Sequence, residues 1–273
     1  MVLFPNAKIN LGLNILRKRA DGYHDIETLF YPIGLKDALE YVDNGGNQVR
    51  LVCTGLTIEV EQEQNIVVKA YRMLQEEHKL PGLDIHLHKV IPSAAGLGGG
   101  SADAAFFLKS LNEHLELNIP AEKLKTLAGS LGADCSFFLE NKAAYATGTG
   151  DHLSAVDLSL KGSHLLLVKP SFGVDTKMAY SGVQPKPYPY NFLEVILGGM
   201  NAWKEKIKND FEPTLFVNFP ELGIVKQMLS DLGDAYVSLS GSGSSVFGIF
   251  NEKPVLPVNY FPQGTFLWQE ELT

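Results

Sequence analysis

Residues 92–105 read Pro92-Ser93-Ala94-Ala95-Gly96-Leu97-Gly98-Gly99-Gly100-Ser101-Ala102-Asp103-Ala104-Ala105, with four glycines in five positions. The run lies between the alternating, strand-like residues 83–87 and a helix-forming segment. Glycine lets backbone N–H groups approach an anion without a Cβ in the way. The start of a helix adds unpaired N–H groups and the positive end of its dipole. The stretch predicts a phosphate cradle, with Ser101 as the N-cap of the helix.

Other glycine-rich loops fit this stretch less well. A Walker loop is excluded, because no Gly-Lys-Ser/Thr follows the glycines. A dinucleotide fingerprint is also a poor match, since Ser101 occupies the place of its third glycine. A flexible turn between strand and helix remains the ordinary alternative. Four glycines exceed what such a turn needs, and each one costs backbone entropy on folding.

The composition is that of an ordinary globular protein of one large or two small domains. The chain has 273 residues, 45% hydrophobic and 20% charged, and a net charge of −8. A nucleic-acid or anionic-membrane partner is therefore not expected, and an anionic substrate must be held by local donors. The two cysteines, Cys53 and Cys135, have neither metal nor disulfide spacing and fit a reducing cytoplasm. No signal peptide or membrane span is expected.

The elements along the chain predict an α+β protein. Residues 9–15 alternate as a strand with one buried face, and Asn44-Gly45-Gly46-Asn47 indicates a hairpin between two further strands. Asn65 is a predicted helix N-cap, and Gly132 a predicted helix end. Residues 185–189 contain three prolines and predict an irregular segment. Strands and helices interleave without strict βαβ order, which favours two lobes, residues 1–150 and 151–273.

Two charged residues are candidates for catalysis. Lys8 shares the polar face of the first strand with Asn10, and Asp134 follows a helix stop in a short segment of small residues. The ordinary alternatives are an exposed lysine and a turn aspartate bonded to its local backbone.

Two further segments are candidates for ligand contact. Tyr23 and His24 follow a local basic cluster, where a ring can stack on a base and an imidazole can bond its edge. A half-buried tyrosine in a surface loop is the alternative. Residues 240–245, Ser-Gly-Ser-Gly-Ser-Ser, could form a backbone nest for phosphates or a plain loop between strands.

These segments together resemble the three motifs of the GHMP kinases. The resemblance is carried by residues 7–11, 92–105 and 239–243. Within that family, Asp21-Gly22-Tyr23-His24 and Leu131-Gly132-Ala133-Asp134 are most similar to the members that phosphorylate a cytidine-diphosphate-bearing methylerythritol. Two departures are visible: Ala102 stands where many relatives have a second serine, and Asn6 where they usually have a small residue or proline.

The resemblance implies a two-lobed fold and a kinase activity. The expected lobes are ribosomal-protein-S5-like at the N-terminus and ferredoxin-like at the C-terminus. The expected reaction transfers the γ-phosphoryl of ATP, with Mg²⁺, to the 2-hydroxyl of 4-diphosphocytidyl-2-C-methyl-D-erythritol in isoprenoid precursor biosynthesis. By similarity Lys8 and Asp134 are catalytic, and the ATP phosphates are bound by Pro92, Ser93, Ala94, Ala95, Gly96, Leu97, Gly98, Gly99, Gly100, Ser101 and Ala102.

The same resemblance assigns the acceptor site. Tyr23 and His24 would read the cytosine, with Tyr180 as a second stacking ring, and Asn10 would help to hold the substrate. The supporting glycine loop comprises Ser240, Gly241, Ser242 and Gly243. The implied partner is this small molecule, with no nucleic acid, membrane or protein partner evident. The alternatives are another GHMP kinase, such as a homoserine or mevalonate kinase, a nucleotide-binding regulator without catalysis, and a purely structural domain.

Overall fold

The computed structural model describes residues 1–57 and 60–273. The chain forms two compact units, each assembled from separate stretches of sequence. The first unit comprises Met1–Ala7, Leu35–Ser93 and Gly98–Lys142, and the second comprises Lys8–Gly34, Ala94–Leu97 and Ala143–Thr273. The predicted division into residues 1–150 and 151–273 stays a prediction.

Strands and helices both contribute to the described chain, as an α+β protein requires. The strands are β1 (Val2–Leu3), β2 (Asn6–Lys18), β3 (His24–Lys36), β4 (Ala38–Asp43), β5 (Arg50–Gly55), β6 (Leu83–Lys89), β7 (Ala144–Thr147), β8 (His152–Ala155), β9 (His164–Lys169), β10 (Ala235–Leu239), β11 (Val246–Phe250) and β12 (Phe266–Glu271). The helices are α1 (Ile66–Glu77), α2 (Gly99–His114), α3 (Ala121–Leu131), α4 (Cys135–Glu140), α5 (Thr176–Ser181), α6 (Phe192–Leu197), α7 (Met200–Lys206), α8 (Glu212–Asn218) and α9 (Pro220–Ser230), with a short 3₁₀ helix at Gln62–Gln64.

The sheet of the first unit has the order β1-β4-β6-β5, and the Tyr41 ring of β4 packs edge-on against Phe107 of α2, with ring centroids 5.3 Å apart. Buried and exposed side chains alternate along β4 and β6, as in a sheet with one buried face. Leu39 and Leu87 are buried, while Glu40 and His86 are exposed. β6 pairs antiparallel with β4 and parallel with β5. The hairpin predicted at residues 44–47 is therefore wrong: the turn is present, but β6 lies between the two strands that the turn connects.

The helices of the first unit follow local sequence signals. The side chain of Asn65 caps α1 by accepting from the Val67 N–H at 2.9 Å, as predicted. Helix α3 ends at Leu131 with Gly132 as its C-cap, also as predicted. Helix α4 packs against both α2 and α3. This packing brings the start of α4 to the helix that begins at the glycine loop.

The sheet with the order β2-β3-β7-β8 lies mainly in the second unit, and its first strand is buried on both faces. All residues of β2 from Asn6 to Ile15 are buried. The predicted single buried face is thus wrong, because the polar side chains on the other face bond to one another instead of to water. Asn10 Nδ2 donates to Thr28 Oγ1 at 3.0 Å, and Asn14 Nδ2 donates to Glu27 Oε1 at 2.9 Å.

The antiparallel sheet of the second unit has the order β10-β11-β9-β12. Helix α9 packs on β10 and β11. Its buried positions, Leu222, Val225 and Leu229, recur at helical spacing and join the apolar core of this unit. Residues 185–189 contain neither helix nor strand, as their prolines predict. In the described part of the chain no helix has the length and apolarity to cross a membrane.

Candidate active site

The middle of the glycine loop, Ala94–Leu97, is held through its carbonyl groups. The first two carbonyls accept from the N–H groups of Ser244 and Ser245 at 3.3 and 3.2 Å. The next two accept from Ser240 Oγ at 2.9 Å and from the Lys8 N–H at 3.0 Å. The C=O and N–H of a trans peptide unit point in opposite directions. The N–H groups of these four peptide units therefore point away from the supporting residues, as an anion-binding nest requires.

The backbone of this loop needs left-handed residues at alternate positions. Ala94, Gly96 and Gly98 have φ values of +48°, +73° and +68°. A Cβ on Gly96 would lie 1.9 Å from the carbonyl oxygen of Ser240. Glycine is thus required there both for the backbone angle and for the close approach of the two loops.

Helix α2 continues the loop and begins earlier than the sequence predicts. Gly98 is the N-cap, and the N–H of Ala102 donates to its carbonyl at 2.8 Å. The predicted N-cap role of Ser101 is wrong, because the left-handed conformation of Gly98 starts the helix and leaves Ser101 in its first turn. The N–H groups of residues 99–101 have no acceptor within the helix, because they precede its first hydrogen bond. They therefore form the positive end of the helix dipole.

Asp134 lies between two helices of the first unit and is half-buried. It takes the N-cap position of α4, but its side chain makes no capping hydrogen bond there. The next residue, Cys135, is buried and hydrogen-bonds with Ser101; burial raises the pKa of its thiol to about 11. Asp134 is thus the neighbour in sequence of Cys135, and Cys135 bonds Ser101 in the first turn of α2.

Lys8 is buried, contrary to the ordinary expectation for a lysine, with 3% of its surface exposed. Its Nζ donates to Asn10 Oδ1 at 2.6 Å and lies 4.9 Å from the centroid of the Phe30 ring. Its backbone N–H holds the Leu97 carbonyl of the glycine loop. The ammonium group is therefore held by Asn10 and Phe30 within the second unit, while the backbone of the same residue is bonded to the glycine loop at Leu97.

Asn10 fixes the position of Lys8 through a network that the sequence did not reveal. Its amide spans Lys8 and Thr28, and its backbone N–H donates to Ser240 Oγ at 3.3 Å. Asn209, which carried no sequence signal, donates from Nδ2 to the carbonyls of Leu239 and Gly241 at 2.9 and 2.8 Å. The loop at residues 240–245 is thus a support for the glycine loop, and Asn209 holds it at the end of β10.

The aromatic candidates lie within the second unit. The rings of His24 and Tyr180 stack with centroids 4.9 Å apart and an interplanar angle of 18°. A base cannot enter between these two rings unless they separate, because this spacing is already direct contact. The side chain of Tyr23 is exposed, so its ring is open to a ligand. Burial, and then the charge of Lys18, lower the pKa of His24 and favour a neutral imidazole.

A buried charge cluster lies beneath the start of α2. Lys89 Nζ donates to Asp37 and to Asp103 Oδ2, the latter at 2.7 Å. Asp37 also accepts from the N–H groups of Val90 and Ile91, just before the glycine loop. Burial raises the pKa of Asp103 to about 8, although the Lys89 ammonium opposes this. The cluster joins β6, the residue between β3 and β4, and α2, and no pattern in the sequence marks it.

Asp103→Asn is expected to change how stability depends on pH. A carboxyl with a raised pKa in the folded state is protonated there while the unfolded chain ionises above about pH 4. Its stabilising contribution is complete below about pH 4 and is lost as the pH rises to about 8. The free energy of unfolding is measured by urea denaturation at several pH values. The value for the variant minus the value for the parent should therefore increase as the pH rises from about 4 to about 8. Parallel pH curves would contradict the assignment.

Comparison with known proteins agrees with this geometry. Residues 65–142 match the GHMP kinases N terminal domain and residues 192–256 the GHMP kinases C terminal domain. A 4-diphosphocytidyl-2-C-methyl-D-erythritol kinase from Bacteroides fragilis is 49% identical over 100% of both chains. The chain belongs to the GHMP kinase family. A second relative of the same name, from Parabacteroides distasonis, is 46% identical over 100% of both chains.

Solved structures of GHMP kinases share the fold. A crystal structure of 4-(cytidine 5'-diphospho)-2C-methyl-D-erythritol kinase superposes with a TM-score of 0.78 and 34% identity, covering 91% of this chain and 90% of that one. A homoserine kinase from Cytophaga hutchinsonii superposes with a TM-score of 0.65 and 17% identity, covering 98% and 94%. The expected fold class, an α+β GHMP kinase fold, is confirmed.

Proposed function

We propose that this GHMP kinase transfers the γ-phosphoryl of ATP to the 2-hydroxyl of 4-diphosphocytidyl-2-C-methyl-D-erythritol. The acceptor is the one named for full-length relatives that are 46–49% identical to the chain. The observation that carries the proposal is the anchoring of the glycine loop by its carbonyls. This anchoring turns a row of N–H groups away from the supporting residues, where the oxygens of a triphosphate accept hydrogen bonds from them.

The proposed phosphate site comprises residues 92–102. The N–H groups of residues 95–98 and of the first turn of α2 donate to phosphate oxygens. Backbone donors suit this task because they are already oriented before the nucleotide binds. The absence of a Walker lysine is then no obstacle, since the amides and the helix dipole supply the positive potential.

In the proposed transfer step the acceptor oxygen attacks the γ-phosphorus, the bond to the β–γ bridging oxygen breaks, and ADP leaves. Asp134 accepts the proton of the hydroxyl. Lys8 offsets the negative charge at the reacting oxygens, held in place by Asn10. Both assignments are supported by placement: Lys8 bonds the loop at Leu97, and Asp134 adjoins the partner of Ser101.

Mg²⁺ fits this scheme as an ion that arrives with the nucleotide. Residues 1–57 and 60–273 contain no group of three or more His, Cys, Asp or Glu able to hold a metal. Mg²⁺ usually keeps several waters and is bound largely through substrate phosphates, so it does not need a preformed cluster of carboxylates. When bound, the ion neutralises phosphate charge.

The proposed acceptor site uses the aromatic candidates. Tyr23 and Tyr180 stack on the two faces of the cytosine and His24 bonds its edge, which requires the His24 ring to leave the face of Tyr180 on which it stacks in this structure. Asn10 contacts the methylerythritol. Two features support this: the Tyr23 ring is exposed, and Tyr180 is supported edge-on by Phe211 at 4.8 Å. The expected cytoplasmic location and the lack of a protein partner belong to this proposal.

A panel of acceptors tests the proposal. ADP release, coupled to an absorbance assay, is measured with 4-diphosphocytidyl-2-C-methyl-D-erythritol, homoserine, mevalonate and no acceptor. Turnover with the first alone is expected. Turnover with homoserine or mevalonate in its place would identify another GHMP kinase activity, and nucleotide binding without any turnover would indicate a regulator.

Tyr23→Ala is expected to weaken acceptor binding by about ten- to a hundredfold, because a base–aromatic stack contributes about 1–3 kcal/mol. The Kd for ATP should stay within about twofold of the parent value. Calorimetric titration with each ligand measures both quantities. Tyr260→Ala is the comparison variant, since that ring is half-buried and packs against the core of the second unit. Equal losses for acceptor and ATP in Tyr23→Ala would contradict the stacking role.

A further inference from the structure

Lys169, the last residue of β9, is a buried lysine without a carboxylate partner. Only 8% of its surface is exposed. Its Nζ donates to the carbonyl oxygens of Pro170 and Phe172 at 2.9 and 3.0 Å. Within residues 1–57 and 60–273 it forms no ion pair, and burial lowers its pKa. A buried ammonium held only by carbonyl dipoles is costly unless an anion binds near it.

The turn that Lys169 holds contacts the glycine loop. The Phe172 carbonyl also accepts from Ser244 Oγ at 2.7 Å, while the N–H of Ser244 donates to the Ala94 carbonyl at 3.3 Å. A Cβ on Gly173 would lie 2.7 Å from the Cβ of Ala94. Lys169 and Ser244 thus share one carbonyl and fix the turn at residues 170–173 against Ala94, the first left-handed residue of the loop.

We propose that Lys169 is a positioning residue for the nucleotide phosphates. It sets the turn that supports Ala94, and its uncompensated charge favours a polyphosphate on the glycine loop. The inference rests on the proposed nucleotide site. Its contribution grows with the charge of the ligand, whereas a structural lysine would affect nucleotides of every charge alike.

Lys169→Met tests the charge. The expected Kd for ATP rises by about ten- to a hundredfold, the usual effect of losing a charge-assisted contact. The loss should shrink from ATP to ADP and vanish for adenosine, all measured by calorimetric titration. The KM for ATP should rise while the KM for the acceptor stays within about twofold, and Lys169→Arg should restore part of the ATP affinity. Lys161→Met, at an exposed lysine outside these loops, is the matched control.

Ser244→Ala tests the positioning independently of charge. Ser244→Ala removes one donor to the Phe172 carbonyl and should weaken ATP binding. This variant tests the inference even if the Lys169→Met protein does not fold. Equal losses for ATP and adenosine in Lys169→Met, or parental ATP affinity in either variant, would overturn the inference. Gly96→Ala distinguishes a failure of the Lys169 inference from a failure of the proposed nucleotide site. If Gly96→Ala also retains parental ATP affinity, the proposed nucleotide site itself is wrong. If Gly96→Ala alone loses ATP, only the role of Lys169 is refuted.

Discussion

Asp134→Asn should lower kcat by about 10²–10⁴ and leave the Kd for ATP within about twofold. The amide keeps the size of the side chain but cannot take the proton of the attacking hydroxyl. Asp134 makes no capping hydrogen bond to α4, so the substitution does not remove a cap from that helix. Steady-state kinetics and calorimetric titration with ATP measure the two quantities.

Asp231→Asn provides the control for this variant. Asp231 is also an aspartate at a helix end, but it is exposed at the C-terminus of α9 and bonds only Gln227 among the described side chains. Its kcat should equal that of the parent. Parental turnover in Asp134→Asn would remove Asp134 from its role as the base, and a matching loss of ATP binding would indicate a structural role instead.

Gly96→Ala should abolish tight ATP binding and destabilise the protein. The new Cβ would overlap the Ser240 carbonyl, which it meets at 1.9 Å, and alanine resists the left-handed backbone. Left-handed strain and overpacking together cost about 2–5 kcal/mol. Relief requires the two loops to separate, so the N–H groups lose their common orientation. Urea denaturation and calorimetric titration with ATP measure both effects.

Gly45→Ala isolates the backbone part of this effect. Gly45 has φ of +69°, almost that of Gly96, but a Cβ there meets no atom within 4 Å. It should cost only the left-handed strain, about 1–2 kcal/mol, and leave ATP binding unchanged. If the two variants lose equal stability and both bind ATP normally, the contact between the loops contributes nothing to the site.

The features that sequence predicts well here are local ones. Asn65 and Gly132 act within one turn of their helices, so their types alone determine the caps. The glycine loop is similar, because glycine occupies two of its three left-handed positions, Gly96 and Gly98, wherever the rest of the chain lies. The N-cap prediction for Ser101 is wrong because Gly98 and Ser101 could both start α2. The left-handed conformation of Gly98 decides between them.

The features that sequence does not predict depend on distant partners. The turn at residues 44–47 carries hairpin signals, but β6, some forty residues further along, inserts between its strands. Lys8 and Lys169 look like surface lysines, and only the strands packed around them show that both are buried. Asn209 bonds the carbonyls of Leu239 and Gly241, and Thr28 bonds Asn10; no pattern in one sequence marks such long-range partners.

The structure of the product tests the account most directly. The enzyme is incubated with ATP, Mg²⁺ and 4-diphosphocytidyl-2-C-methyl-D-erythritol, and the product is examined by proton-coupled phosphorus NMR. Carbon 2 of the acceptor carries a methyl group and no hydrogen, so phosphorylation of its hydroxyl should give one new phosphomonoester signal without splitting by a carbinol proton. A doublet or a triplet would place the phosphate on another hydroxyl, and no new signal would contradict the proposed reaction.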